Sequence, residues 1–295
     1  MKNEIWTERR KGSVDLHLHT SCSDGERTPE QVIQSAKEAG MSAIGLTDHN
    51  CFAISKPIQD EDLEVIPGAE FSAVYQTSKG NRIEIHIIGL FFHGVQESLA
   101  KIWKNVDKFA YIKAVIGRLN ELGMDITFEE LREKYPSAEH FGRTHVADLL
   151  IEKGYAKDRP DAMDRWIGNR APYYMNPVDY ICYFDVFDCV RTIERYGGLP
   201  VLAHPFHYSF SEEEIERMIE VFRKISDGPL GMEVYYGKYT SEQVQYLERL
   251  ADKFGLLCSA GSDSHKPDHP FVSGDAKLVE RMKDAVQKRR ELCQS

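Results

Sequence analysis

Apolar positions along the chain follow two periods. Short runs rich in Val and Ile, at 14–19, 42–47, 63–71, 82–91, 199–204, 231–236 and 256–265, predict seven strands. Stretches with apolar residues three and four apart predict helices over 28–40, 185–197, 211–225, 240–254 and 275–292. The first of these carries its own start and stop signals. Thr28 can cap it, Pro29 takes the first helical position, Gln31 completes a capping box and Gly40 ends it. Strands separated by helices imply parallel pairing in a βα-repeat architecture, either a barrel or a doubly wound sheet, and the pattern alone does not separate the two. From about 97 to 176 the alternation stops. Helical patterns at 97–122, 128–135 and 143–154 predict an all-helical subdomain, 97–176, inserted into a main unit made of 13–96 and 177–275. Long βα connections with extra helices are the competing reading of that stretch. Residues 276–295 are expected to form a C-terminal helix packed on the main unit.

Composition narrows the function. With 295 residues, 42% hydrophobic and 28% charged, the chain can bury one large core or two modest ones. A net charge of −10 argues against a broad basic face for long nucleic acid, so a nucleic-acid substrate is expected to be short or gripped at one end. The opening MKNEIWTERRKGS lacks the apolar core of a signal peptide, and no apolar run is long enough to cross a bilayer. The cytoplasm is therefore the expected location, with no membrane partner. Cys22, Cys51, Cys182, Cys189, Cys258 and Cys293 are scattered without a C-x-x-C pair and read as reduced, structural thiols.

The segment VDLHLHTSCSDG (14–25) introduces the chemistry. His17 and His19 alternate with Leu16 and Leu18, so a strand projects both imidazoles from one face, as a metal clamp or as surface decoration. Further potential ligands fall at or near the ends of other predicted strands: His49, Glu70, His86, His204, Asp263 and His265. In parallel βα folds the C-terminal edge of the sheet is where active sites assemble. A lone histidine there is most often a core residue, but independent core histidines do not recur at one edge. With Asp24, these imidazoles and carboxylates suit Zn, Fe or Mn and are too many for one tetrahedral ion, which implies two or three divalent metal ions sharing a carboxylate bridge. Asp15, on the same strand face and one step deeper, is expected to orient an imidazole, an ordinary salt bridge being the alternative. Asp48 is ambiguous in the same way. His93, His140, His207 and His269 lack the pattern, although His207 is near enough to His204 to line the mouth.

DLHLHTSCSDG, GLTDHN, GAEFS, IHIIGL, LAHPF and GSDSH, in that order across residues 13–270, resemble the successive motifs of the PHP superfamily, named after polymerases and histidinol phosphatase. The segment FGRTHVADLLIEKGYAKDRPDAMDRWIGNRAPYY further resembles the helical insertion of the branch related to RNase AM and the 3′,5′-nucleoside bisphosphate phosphatases. The resemblance implies an α/β fold, a distorted (β/α)7 TIM-like barrel with a metal cluster at its C-terminal rim. It implies His17, His19, Glu70 and Asp263 around a first metal, Glu70 bridging to a second held by His86 and His204, and Asp24, His49 and His265 around a third. Asp24 stands where some relatives have histidine. The implied activity is that of a metal-dependent phosphoesterase whose attacking hydroxide is held over Glu70 and Asp263. Its substrates would be short single-stranded oligoribonucleotides, cut 5′ to 3′, or 3′,5′-nucleoside bisphosphates, with no obligate protein partner.

On that reading Arg143 grips a phosphate, helped by the helix start at Thr144. His145 binds the same phosphate or protonates the leaving oxygen, Arg170 is a further phosphate contact, and Tyr173 and Tyr174 either stack on a base or pack internally. Three other functions compete. A histidinol-phosphatase-type enzyme for small monoesters does not need the helical insertion. A silent PHP module serving a polymerase-like partner predicts missing ligands, and none is missing. A barrel amidohydrolase shares His-x-His but usually adds a strand-borne lysine, which is not evident.

Overall fold

In a computed structural model of the chain, which describes residues 12–60, 62–92, 99, 109–136, 138, 141–181 and 184–292, the strand-forming runs build two sheets of a mixed α/β fold. The first contains β1 (Ser13–Leu18), β2 (Met41–Leu46), β3 (Ile58–Gln59) and β4 (Glu64–Pro67), in the order β1-β2-β4-β3. The second contains β5 (Ala69–Gln76), β6 (Arg82–Leu90), β7 (Phe184–Asp185), β8 (Leu199–Leu202), β9 (Gly231–Tyr236) and β10 (Leu257–Gly261), in the order β10-β9-β8-β6-β5-β7. Parallel pairing joins β1, β2 and β4, and likewise β8, β9 and β10.

Three expectations change. The run 63–71 is two strands, because the chain passes from one sheet to the other at Gly68. A Cβ there would lie 2.7 Å from the Gly89 carbonyl oxygen and 2.8 Å from Thr47 Cγ2, so only glycine fits this crossing without a shift. Strand β6 runs antiparallel to both β5 and β8, against the all-parallel expectation. Residues 77–81 are too few for a crossover and turn back as a hairpin, with Gly80 at φ +82°. Finally, the described strands do not form a closed barrel. The sheets are stitched edge to edge by isolated contacts: the Asp263 N–H donates to the His17 carbonyl at 3.0 Å on one side, and the Asn50 N–H to the Glu70 carbonyl at 2.8 Å on the other.

The helices are α1 (Pro29–Glu38), α2 (Ala110–Glu121), α3 (Phe128–Lys134), α4 (Arg143–Glu152), α5 (Arg159–Ala162), α6 (Val186–Arg195), α7 (Glu212–Lys224), α8 (Ser241–Phe254) and α9 (Lys277–Leu292). At α1 the Thr28 N–H donates to Gln31 Oε1 at 2.8 Å, the Gln31 N–H returns to Thr28 Oγ1 at 3.3 Å, and Gly40 follows at φ +71°. Helices α2 to α5 surround an apolar cluster of their own, with Ile112, Leu119, Leu131, Phe141 and Leu150 at its centre. Helices α6, α7 and α8 bury Ile193, Phe222 and Leu247 against Phe71, Ile87 and Met232 of the second sheet. Along α9, Val279, Met282 and Val286 pack with Val14 and Val201. Among the described residues no helix is long and apolar enough to cross a membrane, and Cys22, Cys51, Cys189 and Cys258 form no disulfide. His93, His140, Cys182, Cys293 and the start of the helix expected over 97–122 lie outside the described residues.

Candidate metal centre

Where the two sheets meet, side chains from both converge on Glu70, the second residue of β5. Its Oε1 lies 2.9 Å from His86 Nδ1, 2.9 Å from His204 Nε2 and 3.3 Å from His17 Nε2. Its Oε2 lies 2.9 Å from His49 Nδ1 and 3.4 Å from His19 Nε2. Asp263 Oδ1 is 3.2 Å from His19 Nε2 and 3.6 Å from His17 Nε2. Asp24 Oδ1 is 3.1 Å from His265 Nε2 and 3.8 Å from His49 Nε2. All nine residues singled out in the sequence therefore share one constellation. Within it, four sets bring their ligand atoms within 4.8 Å of one another: His19, Asp24, His49 and His265; His17, His19 and Asp263; His17, Glu70 and His204; and His49, Glu70 and His86.

The routes by which these residues arrive differ from the strand-end expectation. Glu70 lies near the start of β5 and His86 in the middle of β6, which runs antiparallel to β5. Strand β10 ends at Gly261, so Asp263 and His265 share no strand face; Asp263 turns toward His17 and His19, and His265 toward Asp24. His204 at φ +27° and Asp263 at φ +54° both occupy the left-handed region, at a cost of about 1–3 kcal/mol each. Two hydrogen bonds hold them there, from the His204 N–H to Glu233 Oε2 at 2.8 Å and from the Asp263 N–H to the His17 carbonyl at 3.0 Å.

The expectation for Asp15 is corrected. Its carboxylate accepts backbone N–H groups, from Val272 at 3.0 Å, Ser262 at 3.1 Å and His17 at 3.3 Å, and orients no imidazole. Glu233 does that instead, with Oε1 3.1 Å from His17 Nδ1. Gly261 makes room for it, since a Cβ there would collide with the Glu233 carboxylate and with His17 Cβ. The available signal was a lone carboxylate inside the apolar run GMEVYY. Glu84 serves His86 similarly, with Oε1 3.5 Å from His86 Nε2. Asp48 accepts from the Thr20 N–H at 2.8 Å and from Ser23 Oγ at 2.6 Å, which folds the TSCSDG loop so that Asp24 reaches the cluster. Two further groups at the centre carry no mark in the sequence pattern: Tyr236 donates to Asp263 Oδ2 at 2.8 Å, and Lys238 Nζ lies 3.8 Å from the same oxygen.

Among the described residues the helical segment donates one hydrogen bond to the cluster, from Thr144 Oγ1 to Asp24 Oδ2 at 3.1 Å. Arg143 donates to Asn169 Oδ1 at 2.7 Å and the Ile167 carbonyl at 3.1 Å, with its guanidinium 5.6 Å from the Tyr174 ring centroid. His145 is buried against Tyr135 and Phe141, and its Nδ1 accepts the Gly142 N–H at 3.0 Å. Burial pushes its pKa down, so the ring is neutral with the proton on Nε2. Arg170 is exposed, in a separate cleft. Tyr173 stacks on Trp166 with centroids 5.8 Å apart, whereas Tyr174 is 37% exposed.

The family model for the PHP domain matches residues 15–292. The chain belongs to the PHP domain family. Over 261 residues this PHP domain is 28% identical to the 3′,5′-nucleoside bisphosphate phosphatase of Chromobacterium violaceum, across 86% of the chain and 88% of that protein. It is also 28% identical over 274 residues to the 5′-3′ exoribonuclease Rnm of Escherichia coli, across 90% of the chain and 88% of that enzyme. A solved amidohydrolase structure from Chromobacterium violaceum, with bound SO4 and no metal, has the same fold, with a TM-score of 0.74 and 24% identity over 92% of this chain and 97% of that one.

The electrostatics of the PHP domain fit divalent cations at this position. Burial opposes the charge on Glu70, but His86, His17 and His49 outweigh it and hold the carboxyl well below its usual range. Burial likewise opposes charge on the imidazoles, yet Glu70 and Glu84 bring His86 up to about 10, and Asp24 and Asp263 bring His265 up to about 9. Protons thus stand where cations would. His204 Nδ1 is buried without a hydrogen bond among the described residues, and the imidazole and carboxylate donors suit Zn, Fe or Mn. Because a histidine must lose its proton to ligate, metal uptake by chelated protein is expected to strengthen as pH rises from 6.5 toward 9. Calorimetry near pH 7 in two buffers of different ionisation enthalpy is expected to show net proton release, with His17, His86 and His265 among the donors. A binding heat independent of buffer would contradict this.

Proposed function

We propose that this PHP domain is a metal-dependent phosphoesterase acting on nucleotides, as a 5′-to-3′ exoribonuclease on short oligoribonucleotides and as a 3′,5′-nucleoside bisphosphate phosphatase. The observation that carries the reading is the convergence of His17, His19, His49, His86, His204 and His265 with Asp24 and Asp263 around the buried Glu70 carboxylate. His17, His19, Glu70 and Asp263 would hold one ion, Glu70, His86 and His204 a second, and Asp24, His49 and His265 a third. Divalent ions in such a site supply Lewis acidity toward phosphate oxygens and lower the pKa of water.

The chain's own groups do the rest. Glu233 and Glu84 keep His17 and His86 turned toward the cluster. Arg143 binds a phosphate as a bidentate donor, and Arg170, in its separate cleft, meets a phosphate farther along the substrate. His145 donates from Nε2; its lowered pKa favours this hydrogen-bonding role over that of an acid. On this proposal the metal centre lies at one end of an open, distorted version of a (β/α)7 barrel, with residues 97–176 as its helical cap, and the enzyme works in the cytoplasm.

The test is a panel of 5′-phosphorylated oligoribonucleotides, nucleoside 3′,5′-bisphosphates and histidinol phosphate with the Mn2+-loaded protein, products being resolved by mass. Mononucleotides released from the 5′ end and a phosphate lost from the bisphosphate are the expected results. Turnover of histidinol phosphate alone would replace this reading with the small-monoester one, and no turnover of any kind would favour a non-catalytic module.

A further inference from the structure

A cleft of about 610 Å³ lies among the β5–β6 hairpin, residues 169–179 and the loop after β8. Arg82 and Arg170 both line it, both are exposed, and among the described residues neither has an ion-pair partner. Asp179 is the carboxylate in the same lining. In a chain with a net charge of −10, two unpaired guanidinium groups in one cleft mark a place prepared for anions. Tyr174 lines the same cleft at 37% exposure, while the Arg143 guanidinium, 5.6 Å from its centroid, fixes the ring. Asn176 Nδ2 donates to the Arg82 carbonyl at 2.9 Å, tying the hairpin to the helical segment, so the two walls are held in register.

The cleft is also connected to the metal centre. Tyr208, another lining residue, accepts the His86 N–H on its hydroxyl at 2.8 Å, and its ring centroid is 5.5 Å from that of His204. Along β6, Arg82, Glu84 and His86 alternate with Ile83 and Ile85, so they share one strand face. That face leads from the cleft to Glu70 over a rise of about 13 Å.

We propose that this cleft binds the downstream nucleotides of a single-stranded oligoribonucleotide whose 5′ end is at the metal centre, with Arg82 and Arg170 pairing backbone phosphates and Tyr174 stacking a base. The inference rests on the phosphoesterase reading of the centre and deepens it: a chain of several nucleotides fills both sites, whereas a nucleoside bisphosphate fills one.

Binding tests the cleft independently of turnover. The probe is a 5′-phosphorylated pentaribonucleotide with phosphorothioate linkages and a 3′ fluorophore, titrated by anisotropy into metal-loaded protein. For Arg82→Ala/Arg170→Ala the affinity is expected to fall tenfold or more, and the slope of log affinity against log salt to flatten by about 1.4, at roughly 0.7 per phosphate. Tyr174→Ala is expected to lose about tenfold, as for one stacked base. Arg82→Lys/Arg170→Lys keeps the charges and is expected to keep the slope, which separates a phosphate contact from a folding defect. In turnover, the ratio of kcat/KM for the pentanucleotide to that for a 3′,5′-bisphosphate is expected to drop tenfold in the double alanine variant. Unchanged affinity and slope, or an equal loss on both substrates, would overturn the proposal. If the wild type binds the pentanucleotide through the two arginines but hydrolyses nothing, the phosphoesterase reading fails and the cleft stands.

Discussion

Exchange of Glu70 for Gln is expected to cut phosphoester turnover by about 10⁴-fold, since metal-centred charge stabilisation supplies several kcal/mol and each 1.4 kcal/mol is tenfold. Glutamine keeps the shape and removes the charge. Five imidazole nitrogens lie within 3.4 Å of this carboxylate, so no other residue of the cluster can stand in for it. Elemental analysis of the purified variant is expected to show metal loss alongside the loss of rate. A wild-type metal content with turnover within tenfold would sink the assignment. The metal-free protein gives a second readout with a definite sign. Glu70 is depressed from 4.5, so its contribution to stability is present above that pH; His86 is raised from 6.5 to about 10, so its contribution is complete below 6.5 and lost as pH rises to 10. The gap in Tm between chelated wild type and chelated Glu70→Gln is therefore expected to be widest between pH 4.5 and 6.5 and to close toward pH 10.

Asp15→Ala is expected to destabilise the fold by about 3 kcal/mol or more, because three buried N–H groups lose their acceptor at roughly 1–3 kcal/mol each, offset in part by relief of a carboxylate whose burial raises its pKa to about 6. The affected donors, on His17, Ser262 and Val272, lie on β1 and on the segment after β10. That segment carries Asp263 and His265, so the same change is expected to weaken metal binding without touching a ligand. Urea unfolding of chelated protein measures the first effect and metal titration the second. Asp15→Asn, which retains one acceptor oxygen, is expected to fall between wild type and alanine. A loss below 1 kcal/mol for alanine would mean that water replaces the carboxylate.

The two predictions differ in what could be read from the chain. Glu70 belongs to the motif GAEFS, and its partners His17, His19, His86, His204 and Asp263 each sit in short motifs of their own, so the membership of the site was legible. So were the parts governed by neighbours in sequence. The Thr28–Gln31 capping box closes within one turn, and the His17–His19 pair follows from the two-residue period of a strand.

What escaped the sequence was whatever depends on residues meeting from far along the chain. Periodicity tells which face a side chain occupies and is silent about what lies opposite that face. Asp15 shares the parity of the histidines, yet its partner Val272 is 257 positions away and offers a backbone N–H. Glu233, 216 positions from His17, is the carboxylate that holds the imidazole. The passage between sheets at Gly68 and the left-handed turns at His204 and Asp263 are of the same kind, each fixed by groups distant in the chain: the Gly89 carbonyl, the Glu233 carboxylate and the His17 carbonyl. The sequence by itself thus determined which residues form the centre, because motif and period are local. Only the tertiary structure decided how they are aimed and what supports them, because orientation is set by packing between strands distant in the chain.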